Sequence, residues 1–308
     1  MNWFGVLPAM TTPFDSNLAV DHGLLSEHAR WLLENGCTGL VMLGSLGEGA
    51  TLEPAEKLEI LKTAVTAARK ETPVVAAISS LSTVNAVKLA KEAEEAGCQG
   101  LMVLPPYVYA SDWREMKKHV SAVIGSTKLS CMLYNNPVAY KTDFLPEQIA
   151  ELASEFPNLE AVKESSGDVR RVAAIRELLD SRLNIFVGVD DVLVEGVNAG
   201  ATGWIAGLVN AFPAESVELF NLSRAGKQEE TFALYRWFLP LLRMDTVPKF
   251  VQLVKWVQGR TATGTASVRP PRLELHGKEL ADAEKVLKTA LANRPKVRST
   301  VLRALQEA

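Results

Sequence analysis

The chain has 308 residues, 47% of them hydrophobic, which is enough for one large α/β domain or two smaller ones. Its net charge of −3 and the absence of a basic patch argue against nucleic acid or anionic membrane as partners. Its three cysteines form no CxxC pair, and Cys37 and Cys98, which each follow a glycine and precede a strand, are predicted to be small buried thiols, as expected in a reducing cytoplasm. Neither a secretion leader nor a membrane-spanning stretch is recognisable, so we expect a cytoplasmic location.

Short β-rich runs alternate with longer amphipathic runs along the first two thirds of the chain. The predicted strands are Gly5–Met10, Gly39–Leu43, Pro73–Ile78, Gly100–Leu104, Leu129–Tyr134, Glu160–Lys163, Asn184–Gly188 and Gly203–Ala206. Apolar residues at helical spacing predict helices over Asp21–Asn35, Pro54–Lys70, Thr83–Ala96, Asp112–Ile124, Pro146–Phe156 and Asp168–Leu179. Gly36 and Gly97 follow two of these helices, where glycine is the typical C-terminal cap.

This alternation predicts a parallel sheet, and eight such units indicate a (β/α)8 TIM barrel over residues 1–211. A doubly wound open sheet would normally carry a phosphate-binding glycine fingerprint after its first strand, and Met10–Phe14 has none. Beyond Phe212 the pattern is helical only, so residues 212–308 are predicted to form a C-terminal helical appendage. Trp237 and Phe238 in this region could serve an oligomer interface or pack within the chain.

Lys163 ends the sixth predicted strand and precedes a Ser/Gly turn and a helix start at Asp168. Lysine is rare in parallel strands that are buried on both faces, and a strand end in such a sheet faces the ligand crevice. Loss of water disfavours the charged amine there, which would make Lys163 a nucleophile toward a carbonyl. An ion pair with a carboxylate such as Glu164 is the structural alternative, and spacing alone leaves both open.

The other strand ends bring hydroxyl groups, glycines and two tyrosines, Tyr107 and Tyr134, to the same face of the barrel. The Gly44–Gly49 loop offers backbone N–H groups and the Ser45 hydroxyl to a carboxylate, although a tight turn would also explain its glycines. Tyr134 is either a proton shuttle beside an iminium or a half-buried core residue. The histidines lack metal-ligand spacing and no nucleotide-binding motif occurs, so we expect neither a metal nor a cofactor.

Five motifs together resemble the dihydrodipicolinate synthase / N-acetylneuraminate lyase family of class I aldolase-type barrels. They are Gly44-Ser45-x-Gly47-Glu48, Pro105-Pro106-Tyr107, Tyr134-Asn135-x-Pro137, Lys163-Glu164-x-x-Gly167-Asp168, and Gly188-x-Asp190 followed by Gly200-Ala201-x-Gly203. The resemblance covers about the whole length of the chain. It implies an enzyme that acts on a small 2-oxo or imino acid, assembled as a homotetramer built from a dimer of dimers.

The resemblance also implies residue roles. Lys163 would form a Schiff base with C2 of the substrate, and Tyr134 would relay protons and position the carboxylate. Ser45 would hydrogen-bond within this relay, and Tyr107 of a neighbouring subunit would complete it. The residues expected to hold or border the substrate are Leu46, Gly47, Gly188, Ile205 and Ala206.

Two departures from the family pattern favour its catabolic branch. Dihydrodipicolinate synthases carry an arginine after the Tyr-Asn-x-Pro motif, whereas residues 138–141 here are Val-Ala-Tyr-Lys, and Leu46 replaces a threonine. The resemblance is greatest to a 1-pyrroline-4-hydroxy-2-carboxylate deaminase, which would release 2,5-dioxopentanoate and ammonia. The alternatives are a pyruvate-releasing aldolase or dehydratase of a 2-keto-3-deoxy sugar acid, a dihydrodipicolinate synthase, or a non-catalytic 2-oxo-acid sensor. Substrate specificity is expected to depend on residues 138–141 and 204–210.

Overall fold

The computed structural model describes residues 1–107, 109–261 and 263–297. Its strands are β1 (Gly5–Pro8), β2 (Leu40–Met42), β3 (Val74–Ile78), β4 (Gly100–Val103), β5 (Ser130–Asn135), β6 (Leu159–Glu164), β7 (Asn184–Val187) and β8 (Gly203–Ala206). Within the described ranges these eight strands form one parallel sheet in the order β1-β8-β7-β6-β5-β4-β3-β2. A bridge between Ala9 and Val41 joins the two outer strands, so the sheet closes into the predicted (β/α)8 barrel.

Most strands begin or end within two residues of the predicted bounds. Strand β1 is shorter than predicted because Ala9 and Met10 leave the ladder with β8, and Met10 N donates instead to Val41 O at 2.9 Å. Strand β6 is longer and extends past Lys163 to Glu164, which pairs with Val187. Side chains along these strands are almost entirely buried, as expected when helices cover the outside of a parallel barrel.

The barrel helices are α1 (His22–Glu34), α2 (Pro54–Ala67), α3 (Thr83–Glu95), α4 (Trp113–Ile124), α5 (Pro137–Tyr140), α6 (Pro146–Glu155), α7 (Arg170–Leu179) and α8 (Leu193–Asn198). Their starts follow from capping residues: the Asp21 carboxylate accepts from Leu24 N at 2.9 Å, and Asp112 caps α4 in the same way. Gly36 and Gly97 have φ values of 95° and 91°, which confirms the predicted glycine C-caps.

Two short helices were missed by the sequence analysis. Helix α5 has four residues and α8 has six, too few to show a helical repeat of apolar positions. Asn136 starts α5 by accepting a hydrogen bond from Ala139 N at 3.0 Å, and Pro137 fits its first turn. Helix α5 matters for the site, because it places Tyr140 over the strand ends.

The C-terminal region consists of α9 (Pro213–Arg224), α10 (Gln228–Leu242), α11 (Phe250–Thr261) and α12 (Gly277–Ala292). Phe238 is fully buried, and Trp237 donates to Ala290 O at 2.9 Å, so both residues pack within the chain. A 3₁₀ turn, Arg243–Thr246, follows α10 and packs against another turn, Asp190–Val192, after β7. The C-terminal region therefore reaches the catalytic end of the barrel.

The three cysteines are buried and unpaired, as predicted, and burial raises the pKa of the Cys98 thiol to about 12. Among the described residues, no helix has both the length and the apolar character needed to cross a membrane.

Candidate active site

Lys163 lies at the centre of a cavity of about 620 Å³ at the C-terminal end of the strands. It pairs with Tyr134 on β5 and with Phe186 on β7, and only 6% of its surface is exposed. A Cβ on Gly188 would lie 2.6 Å from Lys163 Cε and 1.9 Å from Ser165 Oγ. Glycine at position 188 therefore provides the space through which the Lys163 side chain enters the cavity.

The Lys163 amine loses its proton at a lower pH than an ordinary lysine does. Burial lowers its pKa to about 8, against the opposing effect of the charges on Asp245 and Asp190. The alternative partner, Glu164, is engaged elsewhere: its carboxylate accepts from Asn135 Nδ2 at 3.0 Å and from the Ser166 backbone N–H at 2.6 Å. The arrangement therefore favours a nucleophilic amine over a simple ion pair between Lys163 and Glu164.

Tyr134 lies directly against this amine. Lys163 Nζ is 4.3 Å from the centre of the Tyr134 ring, a cation–π distance. The Tyr134 hydroxyl accepts from Asn136 Nδ2 at 3.0 Å, and burial raises the pKa of this phenol. Tyr134 therefore keeps its proton in the resting site and can donate it to a developing negative charge on a bound substrate.

A second tyrosine of the same chain extends this arrangement. The Tyr140 hydroxyl forms a short hydrogen bond with Ser45 Oγ, and the Tyr140 ring contacts that of Tyr134. The Tyr140 ring meets Tyr134 edge-on at 5.7 Å, and Tyr107 lies 5.4 Å from Tyr140. Ser45, Tyr140 and Tyr134 thus form a chain of hydroxyls that leads to Lys163.

The Tyr107 hydroxyl donates to the Ser79 carbonyl of its own chain at 3.1 Å. Its contribution to a neighbouring subunit stays a prediction. Sequence analysis named Tyr140 only as a possible specificity residue, since nothing in the sequence shows that a four-residue helix places its hydroxyl on Ser45.

Of the expected substrate contacts, Ser45, Leu46, Gly188 and Ile205 line the cavity. Gly47 and Ala206 lie behind this lining. The carbonyl of Gly47 accepts from Thr12 Oγ1 at 2.7 Å, and the carbonyl of Ala206 accepts from Ala9 N at 2.8 Å. Both residues therefore support neighbouring loops.

The loops expected to set specificity behave differently from one another. Val138, Ala139 and Tyr140 line the cavity, and Val138 is 66% exposed. Trp204 is fully buried and donates to Asp190 Oδ1 at 3.0 Å, and Asn210 is held in the core by Ala9 O at 2.8 Å. The first loop therefore borders the substrate space, whereas these two residues of the second are structural.

Asp190 organises the loop after β8. Its carboxylate accepts hydrogen bonds from Trp204 Nε1, from Gly207 N at 3.1 Å and from Leu208 N at 2.8 Å. Burial nevertheless raises its pKa to about 6, with these donors and the Lys163 charge acting in the opposite direction. Asp190 thereby holds the strand-end loop in place and contributes negative charge near Lys163.

Asp245, in the 3₁₀ turn Arg243–Thr246, was not predicted from the sequence. It lines the cavity, and its Oδ1 is so close to Gly207 that a Cβ at that position would lie 2.3 Å from it. Burial and the charge of Asp190 raise the pKa of the Asp245 carboxyl well above its ordinary value. Because this residue lies some eighty positions beyond Lys163 in a helical region, strand-end patterns gave no signal for it.

The mouth of the cavity carries a cation, Arg272. Its Nη1 lies 3.7 Å from Glu48 Oε2, while Glu48 Oε1 accepts from Lys255 Nζ at 2.8 Å. Glu48 thus lies between two cations, and the Arg272 side chain is 27% exposed. Arg272 is positioned to meet an anionic group of a bound molecule.

Comparison with known proteins identifies the family of this chain. A sequence model of the "Dihydrodipicolinate synthetase family" matches residues 2–290. The chain belongs to this family. A 4-hydroxy-tetrahydrodipicolinate synthase of Geotalea uraniireducens is 31% identical over 287 residues, covering 93% of this chain and 97% of the relative. One of Halalkalibacterium halodurans is 31% identical over 79% of this chain and 83% of the relative.

Solved structures show the same fold. The 4-hydroxy-tetrahydrodipicolinate synthase of Methylacidiphilum fumariolicum SolV superimposes with a TM-score of 0.91 at 26% identity and covers 99% of both chains. The dihydrodipicolinate synthase of Acinetobacter baumannii, solved with pyruvate, gives a TM-score of 0.87 at 26% identity over 93% of this chain and 98% of the other. The protein is thus an aldolase-type lyase of a family whose members work through a lysine Schiff base.

Proposed function

We propose that the protein uses Lys163 to form an imine with C2 of a 2-oxo or cyclic 2-imino acid, and that its reaction is a deamination. The observation that carries the proposal is the desolvated Lys163 amine, of pKa about 8, beside the Tyr134 phenol in one cavity. A lysine in this state attacks carbonyl or imine carbon at neutral pH. The pyruvate bound by the Acinetobacter baumannii relative supports a 2-oxo acid as the ligand class.

The deamination would begin with 1-pyrroline-4-hydroxy-2-carboxylate. Attack of Lys163 on C2 would open the ring and leave a primary amine on C5 and an iminium on the enzyme. Loss of a C3 proton through Tyr134 would give an enamine, whose electrons expel the C4 hydroxyl as water. Transfer of a C5 proton to C3 and of an amine proton to C4 would convert the C3=C4 double bond and the C5 amine into an imine at C5. Hydrolysis of the imines at C5 and at C2 would then release ammonia and 2,5-dioxopentanoate, with a net uptake of one water.

The composition of the cavity supports a substrate other than that of a dihydrodipicolinate synthase. The positions after the Tyr-Asn-x-Pro motif are filled by Val138, Ala139 and Tyr140, which line the cavity without a guanidinium. Leu46 adds an apolar surface beside Ser45, where the family commonly has a second hydroxyl. These changes favour a compact substrate with few charged groups over one with a second carboxylate at this loop.

The second candidate is a lyase or dehydratase of a 2-keto-3-deoxy sugar acid. A cavity of about 620 Å³ exceeds the needs of a five-carbon ring, and Arg272 offers a cation at its mouth. An open-chain sugar acid would use that additional length. Release of pyruvate would identify cleavage, whereas release of ammonia identifies deamination.

The test is borohydride trapping with pyruvate and with 1-pyrroline-4-hydroxy-2-carboxylate, followed by peptide mapping and product analysis. We expect one adduct, on Lys163, and release of ammonia from the ring imine. A folded protein that gives no adduct with either ligand would sink the imine mechanism and favour a 2-oxo-acid sensor. Turnover restricted to open-chain sugar acids would favour the second candidate.

We also propose that the chain assembles as a homotetramer, a dimer of dimers, in the cytoplasm. Membership of the family supports the assembly, and Tyr107 would reach a neighbouring site within it. Sedimentation velocity with Tyr107→Phe tests both parts. A tetramer whose activity falls in this variant is expected, and a fully active monomer would refute the proposal.

A further inference from the structure

Asp245 adds a carboxyl group to the cavity that contains Lys163. It comes from the C-terminal region of the chain rather than from a barrel strand. The hydroxyl chain formed by Ser45, Tyr140 and Tyr134 approaches Lys163 from the β2 and β5 ends. Asp245 approaches from the other side, over Gly207 at the end of β8. Lys163 and Asp245 thus line one cavity, where a single water can pass a proton between them, because the two side chains form no direct hydrogen bond or ion pair.

The two aspartates near Lys163 differ in what holds them. Asp190 receives backbone hydrogen bonds from Gly207 and Leu208, so its lone pairs are occupied. Asp245 is influenced only by burial and by charges, since no hydrogen bond from the described residues acts on its carboxyl. A carboxyl without fixed donors can gain and lose a proton without breaking the fold.

Burial brings the proton affinities of Asp245 and Lys163 toward one another, against the effect of their opposite charges. Asp245 is the charge that acts most strongly on Lys163, ahead of Asp190. Burial is the largest cause that raises the pKa of Asp245, and the charges of Asp190 and Asp191 add to it. The pKa of the amine is lowered and that of the acid is raised, so a proton can pass between them at small cost.

We propose that Asp245 is a further catalytic residue, which accepts the proton that the Lys163 ammonium must lose and returns it to the leaving group. The proposal rests on imine formation by Lys163 and extends it. In the first step the Asp245 carboxylate takes the ammonium proton, and the amine lone pair forms the bond to C2 of the 2-oxo acid. The carbonyl electrons move to oxygen, which takes a proton from Tyr134.

In the second step the Asp245 acid protonates the carbinolamine hydroxyl. The C2–O bond breaks, water leaves, and the nitrogen lone pair forms the iminium. Asp245 is again a carboxylate and stabilises the positive iminium beside it. With a ring imine as substrate, the same acid protonates the ring nitrogen, and the C2–N bond breaks in place of C2–O. Every proton is accounted for by Asp245, Tyr134 and solvent.

The experiment measures the rate of imine formation with pyruvate by borohydride quenching at successive times, from pH 6 to pH 10. In Asp245→Asn we expect the rate at pH 7 to fall by about 10²-fold, the lower range for loss of an acid–base group. Asp245→Glu should recover part of the rate. An unchanged amount of adduct after long incubation would show that the slow variant is folded.

A purely electrostatic role makes the opposite prediction. The negative charge of Asp245 raises the pKa of Lys163, so its removal would leave more free amine at neutral pH. If the Asp245→Asn variant formed the imine as fast as the wild type or faster, the proposal would be overturned.

Gly207→Ala provides a second variant that keeps the charge. Gly207 has φ −87° and ψ −55°, which alanine adopts freely, but its Cβ would displace the Asp245 carboxyl. We expect slower imine formation in this variant too, and an unchanged rate would contradict the proposal even if Asp245→Asn failed to fold. If the wild type forms no pyruvate adduct, the imine function of Lys163 fails; if it does and both variants match it, only the role of Asp245 fails.

Discussion

Two lysines are buried at the same end of this barrel, and they differ in what surrounds them. Lys255 Nζ, on α11, donates to Glu48 Oε1 at 2.8 Å and to the Thr12 carbonyl at 2.9 Å. It also lies 4.4 Å from the centre of the Phe14 ring, and its side chain is 1% exposed. Lys163 has no such hydrogen-bonded carboxylate among the described residues and faces an open cavity.

Burial alone therefore does not make a lysine a nucleophile. Burial lowers the pKa of both amines, but Glu48 opposes this effect on Lys255 through a direct hydrogen bond. Lys255 donates two hydrogen bonds, faces the Phe14 ring and does not belong to the lining of the cavity around Lys163. Lys163 combines desolvation with a neighbouring cavity, which is the combination that an imine-forming lysine needs.

The largest effect that separates the two lysines is expected from Lys163→Arg. The guanidinium keeps the charge but cannot form the imine, so activity should fall by about 10⁶-fold, as when a covalent nucleophile is removed. Turnover and borohydride trapping measure this loss. Lys62→Arg, at an exposed lysine paired with Glu59 at 2.8 Å, is the matched control and should leave both unchanged. An adduct that persists in Lys163→Arg would contradict the assignment.

At the other lysine, Lys255→Met should damage stability rather than chemistry. It leaves the Glu48 carboxylate buried without its lysine, which destabilises a fold by about 3–5 kcal/mol. Urea unfolding followed by circular dichroism measures the shift. The double variant Lys255→Met with Glu48→Gln removes the uncompensated charge and should recover most of the loss. Equal unfolding of the single and double variants would show that the ion pair is not what matters.

The space around Lys163 is tested by Gly188→Ala. The new Cβ would lie 2.6 Å from Lys163 Cε, so the amine must move, and a misplacement of about 1 Å can cost 10²-fold in rate. We expect kcat to fall with little change in the unfolding midpoint. Gly23→Ala, whose Cβ comes no nearer than 3.4 Å to Asp21 Oδ1, is the control and should stay fully active. Wild-type kcat in Gly188→Ala would mean that the lysine does not depend on this glycine.

The smallest effect is the pH dependence of imine formation. Because Asp245 must hold the proton that Lys163 gives up, the wild-type rate should be highest while the two groups share one proton and should fall above the Lys163 pKa of about 8. Above that pKa the fall should be about tenfold per pH unit, which quenched-flow trapping with pyruvate can follow. A rate that keeps rising to pH 10 would place Lys163 near the pKa of an ordinary exposed lysine.

The barrel and Lys163 could be predicted because each has a recognisable pattern in the local sequence. Alternating strand and helix patterns predict the (β/α)8 fold, and a lone lysine at a strand end is conspicuous in a buried β-strand. Helix α5 left no such signal, since four residues are too few for a repeat, and so the contact of Tyr140 with Ser45 could not be foreseen. The position of Asp245 depends on how two turns pack, which no local pattern encodes.

The residues that complete the site from outside the barrel lie in one stretch of sequence, from the 3₁₀ turn with Asp245 to Arg272. Tyr134 and Lys163 come from β5 and β6. The residues that form the imine and the residues that act on it afterwards therefore lie in separate stretches of the sequence. A chimera that takes residues 243–272 from a relative would keep the covalent step and receive a different acid and a different entrance. This one segment of sequence therefore sets the surroundings of the bound substrate, while the central strands supply the residues that form the imine.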